Sequence, residues 1–314
     1  MKLNNKGFAI STFMYMLLIL AIILILATLA ILSSRRMIIE KQKNTALDNI
    51  SYSQNKICES VSGLKSLKPG TEYKCEVKNG TFFNFYVLST EGTKVNLIMD
   101  RNICSDGTVA SSSNQCNYAW HFLTQELDDD NNNYGPDIAM TNLYNATKSW
   151  TNVPDMIMNY DDENNNGTNN GYTGIKTNNG ITTITGKQNK TSTSQTFGTS
   201  SEPLKARLPR QDEVFKEEQD SNYCNYDSAS CPTWLVENLH IDSAFSWCSE
   251  CSTKYVNTQR ISGIIGYWLL SSSSSTNNYA RLVECSGTVG DYSVSYASEY
   301  GIRPVITVPK SMLK

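Results

Sequence analysis

Nine cysteines and two histidines are the residues of this 314-residue chain whose types could carry covalent or metal chemistry. The cysteines are Cys58, Cys75, Cys104, Cys116, Cys224, Cys231, Cys248, Cys251 and Cys285, and they fall in short-range pairs within loop-rich sequence. Cys224, Cys231, Cys248 and Cys251 have the look of a four-thiolate zinc set, but only the second half is Cys-x-x-Cys, and six residues separate the first two thiols. The spacing favours disulfides, formed in oxidising surroundings, over zinc or free thiols. Cys58 through Cys251 are the disulfide candidates and Cys285 the candidate odd thiol. His121 and His240 stand far apart and cannot build an iron triad, and His240 follows Leu239 in an apolar stretch that gives it a core or helix-end role. No nucleophile elbow, phosphate loop or paired Cys/His signature is present. The sequence reads as a protein that is not an enzyme, with no cofactor and no metal.

Oxygen chemistry is equally sparse. Asp162-Glu163-Asn164-Asn165-Asn166-Gly167 matches the first half of a calcium loop, with glycine at the sixth position. The twelfth position is Thr173 where a bidentate glutamate is needed, so the segment reads as a solvated loop. Recognition chemistry is better represented. Between Ser271 and Tyr300, the residues Asn277, Asn278, Tyr279, Arg281, Asp291, Tyr292, Tyr296 and Tyr300 are mixed with serine and glycine. Tyrosine gives contact area at small entropy cost and asparagine gives adaptable hydrogen bonds, the composition of recognition loops. These eight residues are the candidate ligand-binding set.

The element that would position them in the cell is an uncharged run, Phe8 to Leu32, of twenty-five residues. As a helix it would be roughly 37 Å long, against a hydrocarbon core of about 30 Å. The expectation is a single-pass membrane protein. Residues 1–43 carry a net +5 and the whole chain −3, which leaves −8 on the remainder. That acidic remainder has no basic stripe, and nucleic acid is excluded as a partner. Lys2 and Lys6 on one side of the run face Arg35, Arg36, Lys41 and Lys43 on the other, so flanking charge does not orient it. The cysteines and the polar body place the C-terminal part outside the cell.

Beyond the run, Ile39, Leu47, Ile50, Ile57, Val61 and Leu64 recur at helical intervals until Lys68-Pro69-Gly70, which predicts a transmembrane and stalk helix over 8–68. After Gly70 the period changes. Tyr73 to Val77, an Asn79-Gly80 turn, Phe82 to Leu88, a Glu91-Gly92 turn and Lys94 to Met99 predict a three-stranded meander. Pro136 opens a short helix marked by Ala139, Leu143, Ala146 and Trp150, completing a first part of the head over 70–158. Residues 159–200, rich in Asn, Gly and Thr, read mostly as a long exposed loop. Over 201–314, Pro209 starts a helix that turns Val214 and Phe215 inward, and Ile264–Leu270, Tyr279–Val283 and Ile302–Val308 read as strands.

Two resemblances add to this. Lys6-Gly7-Phe8 before the apolar run resembles the processing site of type IV pilins and pseudopilins. The resemblance implies a leader of residues 1–7, cleavage between Gly7 and Phe8 with methylation of Phe8, and other pilin subunits as partners. At the fifth mature position, where filament pilins carry a glutamate, this chain has Thr12. A neighbour's buried ammonium would then go uncompensated, which fits a tip or minor subunit, or a simple anchor. Farther on, Arg207-Leu208-Pro209 with Glu213-Val214-Phe215, then Tyr267-Trp268-Leu269 and Tyr300-Gly301-Ile302-Arg303-Pro304-Val305, looks like the bacterial branch of the C-type-lectin-like fold, which includes the formylglycine-generating enzymes. The residues predict an α+β fold, with a long N-terminal transmembrane and stalk helix and then a mixed head with antiparallel sheet, and the second resemblance implies that the head is C-type-lectin-like at its C-terminal end. The predicted function is display of an adhesin-type domain at the cell surface, alone or within a filament, with an extracellular glycan or protein as ligand and the membrane as a further partner. A minor pilin or pseudopilin that serves filament or secretion-system assembly is the alternative.

Overall fold

A computed structural model describes residues 16, 18–20, 56–111, 113–121, 135–158, 175–188, 191–199, 201–216, 221, 223–224, 231–239, 265–272, 279–295 and 300–314. The chain divides into two compact units, Met1–Asn55 and Lys56–Lys314. Of the first unit, Met16 and Leu18 to Leu20 are helical and exposed. Gly7, Phe8 and most of the apolar run lie outside the described residues.

The expected α+β fold with a long N-terminal helix is corrected by what is described. Strand dominates the body and its helices are short. Among the described residues no helix is long and apolar enough to cross a membrane, so the expected single-pass anchor is not supported. The far end of the expected stalk is also not helical. Cys58–Ser60 is strand β1, which runs antiparallel to β2 (Glu72–Lys78) with Cys58 opposite Cys75. A disulfide joins those two residues. Ile57, Val61 and Leu64 have helical spacing, but Ile57 is buried beside the strand while Val61 and Leu64 are exposed in the turn after it. The cross-strand bond and ladder override the local period.

The meander forms where alternation places it. β2, β3 (Thr81–Glu91) and β4 (Lys94–Met99) are sequential antiparallel neighbours. Gly80 adopts φ 73°, the left-handed value that the β2–β3 turn requires and that glycine meets without strain. Tyr73, Cys75 and Val77 point inward with Phe85 and Val87, all with no exposed surface. Glu72, Lys74 and Glu76 alternate to the outer face. β12 (Val305–Pro309) pairs antiparallel with β4, giving the order β1-β2-β3-β4-β12. After a short 3₁₀ turn, Lys310–Met312, the chain returns to β1. There the Lys314 amide donates to the Cys58 carbonyl at 2.9 Å, and Met312 and Leu313 are buried.

A second sheet has the order β10-β9-β8-β11, formed by β8 (Gly266–Ser272), β9 (Tyr279–Glu284), β10 (Val289–Ser293) and β11 (Tyr300–Gly301). β11 is parallel to β8 and the other pairs are antiparallel. Gly301 allows a close approach, since a Cβ there would collide with the Asn102 side chain, whose amide donates to the Gly266 carbonyl at 3.0 Å. The segment expected as an exposed loop contains a third antiparallel sheet, β5 (Ile175–Asn178), β6 (Ile181–Gln188) and β7 (Thr191–Phe197). Ile175, Ile184 and Phe197 are buried there, and helix α1 (Asp137–Thr147) packs against β6 and β7 with Tyr144 against Phe197. The calcium-loop candidate, 162–173, lies outside the described residues. The predicted helix after Pro209 is a single turn, α2 (Gln211–Val214), and α3 (Thr233–Val236) is of the same length.

Candidate ligand-binding surface

Arg207 and Arg303 belong to the framework that carries the surfaces. Arg207 bonds Glu213 with both terminal nitrogens, at 2.7 and 2.6 Å, and both side chains are buried. Glu213 also accepts from the Arg210 amide at 3.0 Å, Ser89 at 3.1 Å and Asn96 at 3.2 Å, tying α2 to β3 and β4. Burial alone would push the Glu213 carboxyl up, but the Arg207 guanidinium overrides it and holds the group below its ordinary value. The Arg207 backbone is bridged to Val305 of β12. Arg303 donates to the Leu235 and Glu237 carbonyls at 2.9 and 2.8 Å, satisfying the end of α3, and lies 4.3 Å over the Tyr267 ring. Burial pushes the Tyr267 hydroxyl up to about 12 and pushes Arg303 down.

Of the eight sequence candidates, the structure places five. Arg281 and Asp291 are directly opposed on β9 and β10 and form an ion pair at 3.0 Å. Tyr279 lies on the same face and is 41 % exposed. Tyr292 alternates to the opposite face, where its ring is 5.2 Å from Tyr300. Tyr300 is fully buried and stacks on Trp268 at 5.1 Å, so it acts as core. Asn277, Asn278 and Tyr296 lie outside the described residues. Arg281, Asp291 and Tyr279 are thus brought to one face, and Tyr292 and Tyr300 to the other.

The acidic side chains Glu72, Asp100 and Glu237 also approach one another. Arg101 neutralises Asp100 with a forked pair at 2.8 Å, and Tyr86 donates its hydroxyl to Glu237. Burial, then Glu237 and Asp100, raise the Glu72 carboxyl. Among the described residues no group of histidine, cysteine and acidic side chains could hold a metal ion. His121 is spent on Asp137 at the start of α1, at 2.7 Å, and His240 lies outside the described residues.

An open groove of about 270 Å³ was not anticipated from the sequence. It lies on the outer face of β1, β2 and β3 and is lined by Lys56, Glu59, Val61, Lys74, Glu76, Phe82 and Lys314, with Ile57 and Ser60 beneath. Register explains the grouping. Glu59 opposes Lys74 across β1–β2, and Glu76 opposes Phe82 across β2–β3, so all four side chains emerge on one face. Phe82 is 50 % exposed and carries the Lys74 ammonium 5.3 Å from its ring centre. Glu76 is held by the Gly80 amide at 2.9 Å. The alternation of Lys74, Glu76 and Phe82 was visible in the sequence; the arrival of Lys314 beside them was not.

Three disulfides have both partners among the described residues: Cys58–Cys75, Cys104–Cys116 and Cys224–Cys231. The last removes Cys224 and Cys231 from any four-thiolate zinc site. Cys285, expected to be the odd thiol, is itself disulfide-bonded, and no described cysteine is free. Cys248 and Cys251 lie outside the described residues. Comparison with protein-family models, with curated proteins and with solved structures gives no match.

Proposed function

We propose that the Lys56–Lys314 unit is a recognition module that captures an extracytoplasmic ligand, in the manner of an adhesin domain. The observation that carries this reading is the Phe82 groove: a large apolar ring left half exposed on a sheet face among ammonium and carboxylate groups. Phe82 and Val61 are exposed together along that groove, and apolar side chains gathered at one place on a surface mark contact sites, where singly scattered ones do not. The disulfides support an oxidising place of work, because such bonds are rare where glutathione keeps thiols reduced. The order of the Arg207, Trp268 and Arg303 motifs supports a lectin-like scaffold for the module. The full-length, disulfide-intact protein at micromolar concentration, tested on arrays of glycans, cell-wall polymers and host-surface proteins, should retain at least one class. Binding to none of them overturns the proposal.

A second reading, an assembly subunit of the minor-pilin kind, is favoured by Val61 and Leu64, which are 56 % and 75 % exposed beside the groove. Apolar side chains in that position suit packing against another subunit. N-terminal sequencing of the protein from its own cells separates the two. A mature chain starting at Phe8 supports the subunit reading, and a retained Lys6-Gly7 removes it.

A further inference from the structure

We propose that the Phe82 groove is a saccharide-binding site. This rests on the recognition-module reading and names the ligand class for that surface. A pyranose ring presents a face of C–H groups and a rim of hydroxyls that each donate and accept. The groove is built with both halves of the complement. Its floor offers the half-exposed Phe82 ring, with apolar Ile57 and Val61 beside it. Its rim offers Lys56, Lys74 and Lys314, which only donate, and Glu59 and Glu76, which only accept when ionised.

Other occupants fit less well. Cations and anions alternate across the strands, Glu59 opposite Lys74, so the surface lacks the single-sign field that gathers a polyanion. An extended peptide cannot add to β1, because the outer edge of that strand is already taken by the backbone of Leu313 and Lys314. A folded protein would need about 20–30 residues on this side, more than the nine that line the groove. Its volume lies just under the roughly 300 Å³ at which small-molecule sites begin, which suits one or two sugar rings in a shallow, open site. Glu76 is pinned at the hairpin by the Gly80 amide, so one acceptor is held in place before any ligand arrives.

The test applies the full-length protein to printed arrays of mono- to hexasaccharides, cell-wall polymers and host-surface proteins, with the best-bound saccharide then titrated by calorimetry against the wild type and three variants. Phe82→Ala and Glu59→Gln remove groove groups that are exposed, so the core is untouched, and Ile181→Ala, at an exposed position on the third sheet, serves as a control. The expected result is saccharide binding weakened about tenfold or more by Phe82→Ala and by Glu59→Gln, with Ile181→Ala unchanged. Far-UV circular dichroism and thiol titration of each variant check the fold. Saccharide binding that survives both Phe82→Ala and Glu59→Gln overturns the groove and leaves the recognition module standing. Retention of a protein but of no saccharide overturns the ligand class alone. Retention of nothing removes both.

Discussion

Replacing Glu213 with glutamine removes the charge that a buried guanidinium depends on. Arg207 is sealed from solvent, and its two terminal nitrogens point at the two oxygens of Glu213. Three further donors, the Arg210 amide, Ser89 and Asn96, converge on the same carboxylate. Breaking a buried pair by neutralising one partner costs about 3–5 kcal/mol, because the surviving charge stays desolvated. For a domain of this size about 2–4 °C accompany each kcal/mol, so the melting temperature should fall by roughly 6–20 °C. Differential scanning calorimetry at pH 7, with urea unfolding as a second measure, reads the loss. The double variant Arg207→Met/Glu213→Leu fills a similar volume with apolar groups and should regain at least half of it. Two outcomes would refute the reasoning: a Glu213→Gln cost below about 1 kcal/mol, the scale of an exposed ion pair, or a double variant less stable than the single one.

Acid titration gives a related prediction with a defined sign. Glu213 has a lowered folded pKa, so its contribution is complete above the ordinary value of 4.5 and is lost as pH falls through the lowered one. Urea midpoints of Glu213→Gln should therefore show a shallower acid limb than wild type. Glu72 is raised, chiefly by burial, so its ionisation works against the fold as pH climbs past 4.5; Glu72→Gln should reduce that loss, read from the same midpoints. Deleting Met312 to Lys314 removes two buried side chains, each contributing about 1.5–3 kcal/mol, and hydrogen exchange at β1 should accelerate with the lowered stability. Replacing Cys58 and Cys75 together with serine should cost about 2–4 kcal/mol in denaturant unfolding, and dithiothreitol should add little further loss at that site.

What was legible in the chain follows from where local and long-range preferences agree. The β2–β3–β4 meander has alternation, Asn79-Gly80 and Glu91-Gly92, and each sign points to the same hairpins. α1 begins where Pro136 marked it. β1 was misread because Ile57, Val61 and Leu64 satisfy a helical period, while the bond that makes Cys58 a strand residue comes from Cys75, seventeen positions away. β5 to β7 were hidden by composition. Their backbones pair in full register, yet only a few large apolar side chains such as Ile184 and Phe197 announce a buried face. At the surface, tyrosine content pointed to β9 and β10 but could not show that Tyr300 turns into the core. The groove needs Lys314 beside Glu59, a neighbour relation that no local pattern encodes.

The seam between Cys58 and Leu313–Lys314 sets an order on how the body can mature. During synthesis the Cys58–Cys75 ring can close early, since its two thiols emerge almost together. The far rim of that first strand must wait, bare, until Leu313 and Lys314 arrive to cover it. Over that interval it is a sticky ribbon of unmatched amides and carbonyls, the kind of feature that holding chaperones exist to shield.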